Sequence, residues 1–385
     1  MISSLYARLK LTIAPQTTLL LVGAGLLVAL VMAGDVTFLR RTPLHSDAPL
    51  FTGPFLARSA ILLLGAWMFV KALVHSPPSA RGTRASGLGL PWGASGAPTR
   101  ALLAGPARWD VAPFGFKQAA AWTSIAITIA VVALLIFRVD LYSYLALEDK
   151  PVEVLSALLL LVAAGLMLAA AVTLRAVATP QRRLLLALAL LGAGGFFLVG
   201  MEEISWFQRV IGFETPASFA ANHQNEFNLH NFYSGKFELL YYMGTFLALV
   251  VVPFVNNQTA LLEAHPVTSF FAPARYLIFV GALASAYNYN LWNMAPHQFT
   301  AYATLFILLY VLYASARDGG VSPLLMTLIA VFVAAQVLII IFGGRSGRLW
   351  DITEYRELLL PLGYAVYAFD VLLRARKLRA AAAAA

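Results

Sequence analysis

The chain has 385 residues, 60% of them hydrophobic and 12% charged, with a mean hydropathy of +0.77. A soluble domain carries roughly 45–50% apolar and about 25% charged residues. An ordinary soluble enzyme, a disordered tail and a fibrous protein are therefore excluded, and an all-α, polytopic transmembrane bundle is expected.

Ten apolar stretches approach spanning length: 17–33, 59–74, 122–137, 154–174, 184–200, 239–255, 276–286, 301–314, 324–342 and 358–373. The seventh and eighth are shorter than the roughly 20 residues a span needs, so a tilted, broken or re-entrant segment is expected at each. Continuous runs such as Leu158–Leu168 do not alternate, which argues against an outer-membrane barrel. The first stretch follows Arg8 and Lys10 and reads as an uncleaved first helix rather than a signal peptide, because further spans follow.

These stretches divide the chain into an N-terminal two-span hairpin (1–75), a Gly/Pro/Ser/Arg-rich linker (76–116), an eight-span core (117–379) and a low-complexity tail (380–385). Most of the 27 Lys and Arg residues fall inside if both termini are cytoplasmic, the orientation expected of a bacterial inner-membrane protein. The net charge of +9 then records orientation, and nucleic acid is not an expected partner; membrane lipids are, and other membrane subunits in one reading. The absence of cysteine removes disulfides, iron–sulfur clusters, thiolate zinc sites and cysteine nucleophiles.

The unusual polar residues fall in four connections on the outer side under this topology. They are Glu148-Asp149 with Glu153; the run from Glu202 to Asn231; the aromatic–amide run Tyr287 to Gln298; and Arg345 to Glu357. The inner connections are short and basic or linker-like, and charges within spans are nearly absent, with Glu238 closest to an exception. Carboxylates, histidines and amides at span ends are costly unless they face water, one another or a ligand, so one outward polar pocket is expected.

The segments Glu202-Glu203-Ile204-Ser205-Trp206, Gln208-Arg209, Glu214-Thr215-Pro216 and Asn228-Leu229-His230-Asn231 follow Glu148-Asp149 and Glu153. Together they resemble a widespread family of bacterial polytopic membrane proteins with a GEEISWGQR…ETP…NLHN-like signature, a family without an assigned activity. The resemblance covers roughly residues 145–231 and, more loosely, the C-terminal half. It implies a shared site and supplies no substrate. Met201 and Phe207 stand where the signature has glycines.

Read on their own terms, Glu202, Glu203 and His230 are the candidates for proton transfer. If the fifth span continues as a helix, Glu202 and Glu203 point about 100° apart and Ser205 lies on the side of Glu202. Glu148, Asp149 and Asp351 complete the expected pocket with Ser205, Gln208, Asn228 and Asn231. Arg209, Arg345 or Arg348 would hold an anionic group. Asp351, Glu354 and Glu357 recur at helical spacing and share a face near the start of the tenth span.

The cofactor stays open. A divalent metal is one option, bound by Glu202 or Glu203 together with His223, Glu226 or His230, although the His223–His230 spacing matches no compact zinc motif. Tyr287, Tyr289 and Trp292 either stack on a sugar or lipid head group or form an interfacial aromatic belt. His45, His75 and His265 read as loop residues, with His297 intermediate. There is no P-loop, no G-x-S-x-G elbow and no H-E-x-x-H.

Three functions stand: a membrane-embedded enzyme acting on a lipid-linked or periplasmic substrate, an ion- or proton-coupled transporter, and a non-catalytic subunit of a larger membrane complex.

Overall fold

The structure is a computed structural model. It describes residues 15–34, 37, 53–75, 98–103, 109–219, 221–222, 226–259, 261–288, 295–317, 320–348 and 350–384, which are helical or in turns, with no strand among them.

Nine helices among the described residues are long and apolar enough to cross a membrane: α1 (Pro15–Gly34), α2 (Leu56–Val74 within the helix Gly53–His75), α4 (Phe114–Phe137), α6 (Pro151–Arg175), α7 (Arg182–Glu203), α8 (Ser234–Thr259), α11 (Ala295–Arg317), α12 (Pro323–Arg345) and α13 (Asp351–Ala384). Shorter helices are α3 (Pro98–Leu103), α5 (Val139–Leu145), α9 (Pro266–Phe271) and α10 (Leu277–Ala286). Proline opens α6, α9 and α12, where a missing N–H costs nothing because the first turn has no intrahelical acceptor for it.

The apolar composition is used in two ways. On α6, Leu155, Leu158, Val162, Leu168 and Val172 face outward, as lipid-facing side chains do. Ala157, Ala163, Ala164, Ala170 and Ala171 are buried. Small residues on the inner face let helices approach closely, and dispersion then holds them. α6 lies against α7 and α13, with Met167, Leu174, Leu185, Ala368 and Val371 in one cluster. The larger cluster joins α2, α4, α8, α10, α11 and α12. α1 packs on α2, and α2 on α11, with Phe69 and Phe299 edge to face at 5.4 Å.

Both expected short spans have an explanation. The seventh corresponds to α10, and every residue from Leu277 to Ala286 is buried. A short helix is tolerated there because protein, not lipid, surrounds it. The eighth is not short, since α11 runs 23 residues and starts before the apolar run, at Ala295. Leu249, in a π-helical turn of α8 (Leu247–Val251), wedges against two glycines. A Cβ on Gly281 of α10 would meet Leu249 Cβ at 2.8 Å, and one on Gly363 of α13 would meet Leu249 Cδ1 at 2.4 Å.

Two expectations need correction. The linker is not wholly separate from the core. Leu102 and Leu103 of α3 are fully buried, Thr99 Oγ1 lies 2.8 Å from Ser322 Oγ, and α4 already begins at Phe114. Trp109 Nε1 donates to Ser269 Oγ at 2.8 Å. Charges inside spans are also not confined to Glu238. Asp370 and Arg374 of α13 form a fully buried ion pair at 2.5 Å, one turn apart. Lying i and i+4 on one helix, each hides the other's charge.

Candidate functional site

The connections 138–150, 204–233, 287–288 and 343–350 meet at one end of the bundle. There the first two are joined by ion pairs, and the last two are tied to neighbouring segments by hydrogen bonds. What turns the chain there is a strained corner. α7 stops at Glu203 instead of continuing, and Ser205, Trp206 and Phe207 follow with φ of +45°, +55° and +61°. L-residues rarely adopt this region, and glycine adopts it freely. The corner brings Ser205, Gln208 and Arg209 back over the end of the bundle.

Glu226 is the centre of what the corner holds. Its carboxylate is buried and accepts hydrogen bonds from Ser205 Oγ (2.8 Å), Asn228 Nδ2 (2.9 Å) and Asn231 Nδ2 (3.3 Å) on one oxygen and from Arg209 on the other. Its own N–H donates to Asn222 Oδ1 at 3.0 Å. Arg209 also reaches Glu148 (3.0 Å) and Asp149 (2.5 Å) at the exposed rim. Burial pulls the Arg209 guanidinium down, but the bonds to Asp149 and Glu148 and the nearby Glu226 outweigh it and hold it above the ordinary arginine value. Gln208 completes the set, donating to Thr215 Oγ1 (2.8 Å) and accepting from the Phe227 N–H (2.5 Å).

Beside this network, Glu202 clamps the turn that carries His230. One carboxylate oxygen accepts from Trp206 Nε1 at 2.8 Å. The other accepts the backbone N–H of Leu229 (2.6 Å) and of His230 (3.2 Å) and lies 3.7 Å from His230 Nδ1. The imidazole is packed on Phe237, with ring centroids 5.5 Å apart. The carboxylate holds the backbone turn that carries the ring and stands beside Nδ1, beyond hydrogen-bond distance.

Glu203 belongs to neither group. Its electrostatic neighbours are Glu357 of α13 and Glu153 of α6. Glu354 and Glu238 share the neighbourhood of Glu357. Tyr242 donates its hydroxyl to Glu357. Arg356 donates to the Tyr287 carbonyl and Asn288 Oδ1, with its guanidinium 4.6 Å from the Tyr242 ring. Glu238, Tyr242, Glu354, Arg356 and Glu357 were not among the expected site residues. The helical spacing of Glu354 and Glu357 and the intramembrane position of Glu238 were the signals that pointed to them.

Three expected site residues do other work. Arg348 donates to Asp351 Oδ1 (2.8 Å) and to the Ala146 carbonyl (2.7 Å), and Arg345 donates to the Ile136 carbonyl (3.0 Å). Both guanidiniums tie the 343–350 connection to the 136–146 segment. Asp351, fully buried, accepts the Arg348 N–H at the start of α13 and stays out of the Glu226 network.

His223, Tyr289 and Trp292 lie outside the described residues. The proposed metal ligand Glu226 has both oxygens occupied by protein donors, which leaves it poorly suited to a cation. Among the described residues no three His, Asp or Glu side chains group closely enough to hold a metal ion. His297 is buried in α11 and packs on Tyr242 at 5.0 Å, and His265 Nδ1 accepts the Val267 N–H at the start of α9. Comparison with protein-family models, curated proteins and solved structures finds no match to this chain.

Proposed function

We propose that this is a bacterial inner-membrane protein with ten crossings, both termini cytoplasmic and the polar end outward, and that this end is an acid–base site acting on a lipid-linked or periplasmic substrate. One observation carries the reading: Glu202 lies 3.7 Å from His230 Nδ1 and grips the backbone on which that ring sits. An imidazole with a carboxylate beside it is a minimal unit that can take a proton from a hydroxyl or water and return it. Glu203 and Glu357, within electrostatic reach of each other, supply a second acid–base pair beside it. The Glu226 network is the support, because its charges and amides are spent on one another. The signature segments that resemble the family are the ones that build this corner, which fits a shared site.

The test is a comparison of lipid extracts by mass spectrometry. Cells lacking the protein are supplied with wild type, Glu202→Gln or His230→Ala. We expect at least one lipid or lipid-linked species to change with the wild type and to revert in both variants; identical profiles in all strains would overturn the reading. The orientation is tested separately on this naturally cysteine-free chain. Ser218→Cys should react with a membrane-impermeant maleimide on spheroplasts, and Arg182→Cys should not.

A further inference from the structure

α13 carries polar side chains along one slowly winding stripe: Glu354, Glu357, Tyr364, Tyr367, Asp370 and Arg374. Successive members are three, four or seven residues apart, so each lies near the last on the helix surface. From Glu354 to Asp370 the stripe climbs about 24 Å at 1.5 Å per residue, most of a hydrocarbon layer of about 30 Å. Polar groups at that depth are expensive and need a reason.

Side chains of neighbouring elements line the stripe along its length. Tyr242 donates to Glu357. The Tyr241 ring stacks on Tyr364, with centroids 6.3 Å apart, and Tyr241 acts electrostatically on Glu203, Glu357 and Tyr364. Thr245 Oγ1 lies 2.8 Å from Tyr364 Oη. Tyr367 donates to the Phe271 carbonyl at 2.8 Å and has Tyr364, Asp370 and Arg374 as electrostatic neighbours. At the far end, Asp370 faces Arg374 from its own helix, and Lys117 and Asp110 from α4 and the segment before it. Tyr276 stands beside Asp370, Arg374 and Asp110, with Lys117 Nζ 5.6 Å from its ring.

Tyr276 and Asp370 are at most 1% exposed. Yet Tyr276 Oη and Asp370 Oδ1 have no protein partner within hydrogen-bond distance, nor does the buried Tyr241 Oη. A buried polar atom left over by the protein is where an internal water binds. Three such atoms lie on or beside this one stripe, among hydroxyls that both donate and accept and carboxyl groups that accept when ionised.

We infer that this stripe is a proton path through the bundle, joining the carboxylates at the site end to the Asp370–Tyr276–Lys117 cluster at the opposite end. Its ligand is the proton, relayed by tyrosine hydroxyls, carboxyl groups and internal water. Each group takes a proton from one neighbour as it passes its own to the next, so its protonation state is unchanged; rotation of the hydroxyls and waters then resets the chain, and the transmembrane potential or pH difference supplies the drive. The inference stands independently of the chemistry proposed for Glu202 and His230.

The full-length protein is purified and reconstituted into phosphatidylethanolamine–phosphatidylglycerol vesicles containing a pH-sensitive dye. A potassium gradient with valinomycin sets an inside-negative potential in sodium-free buffer. Lumen acidification should be faster than in protein-free vesicles, and Asp370→Asn and Tyr364→Phe should each slow it at least about tenfold, as loss of a positioned proton-transfer group does. Asp370→Asn strands Arg374 and can unfold the protein; Tyr364→Phe removes one hydroxyl and keeps the ring, so it decides the matter if Asp370→Asn fails to fold. No flux above protein-free vesicles, flux that needs added sodium, or a wild-type rate in Tyr364→Phe would overturn the inference.

Discussion

Replacing Glu226 with alanine tests whether the corner is held from its buried carboxylate. Three buried donors lose their acceptor: Ser205 Oγ, Asn228 Nδ2 and Asn231 Nδ2, at 2.8, 2.9 and 3.3 Å. A buried donor left unsatisfied costs about 1–3 kcal/mol, and the low end suits groups that partly re-pair, which makes about 3 kcal/mol together. The ion pair with Arg209 adds little, because that side chain is 40% exposed and keeps Glu148 and Asp149. The expected loss is about 3–4 kcal/mol, or about 6–8 °C in Tm at about 2 °C per kcal/mol. The assay is intrinsic fluorescence of the detergent-solubilised protein during heating; Trp206, bonded to Glu202, reports from the site itself. Glu148→Ala, at the exposed rim, should move Tm by about 1 °C or less. A Glu226→Ala protein melting within about 1 °C of wild type, or a Glu148→Ala protein losing as much as Glu226→Ala, would refute the reasoning.

Two further substitutions probe the backbone and the packing. Phe207→Gly places glycine at φ +61° and removes a ring that is 40% exposed. Relief of about 1–2 kcal/mol of left-handed strain exceeds the about 0.5–1 kcal/mol of extra chain entropy, so Tm should rise by about 1–2 °C; a fall would mean the ring has a packing role. Gly281→Ala drives a Cβ to 2.8 Å from Leu249 Cβ, whereas Gly165→Ala meets nothing within 4 Å. Overpacking of about 1–3 kcal/mol should lower Tm in the first and spare the second, and equal melting of the two would contradict the Leu249 wedge.

The helices were legible because a span must be apolar along its whole length, a stronger signal than any periodicity. Their starts were less so. α4 begins eight residues before its apolar run because Lys117, which reads as a linker charge, is buried against Asp110. The corner was legible as composition, since Glu202, Ser205, Gln208, Arg209, Asn228 and Asn231 do meet there. Its shape was not, because positive φ at Ser205, Trp206 and Phe207 has no glycine to announce it. A single pocket was expected, and the charges divide instead into three groups that satisfy themselves differently. Arg348 reads in sequence as a site residue, and in the fold its guanidinium bonds Asp351 and the Ala146 carbonyl, a backbone partner that no side-chain pattern announces. Asp370 and Arg374 went unnoticed because, one turn apart, they look from sequence like the end of a span and its flanking base.

That pair has a consequence for how the chain is made. α13 is the least hydropathic and the most buried of the nine candidate spans. A single acidic or basic side chain opposes insertion by about 2.5–3.5 kcal/mol at a span centre and by less toward its end. Presented to lipid alone, α13 would be a poor substrate for the insertion machinery. Synthesis runs from the N-terminus, so by the time α13 leaves the ribosome the α6–α7 pair and the turn at Phe270 and Ala272, whose carbonyls take Arg374 at 2.8 and 2.7 Å, have already been made. Its entry into the membrane is then a docking event onto a waiting surface. Substitutions on that surface should appear first as a biogenesis defect, with α13 stranded outside the bilayer, before any loss of stability in the finished protein.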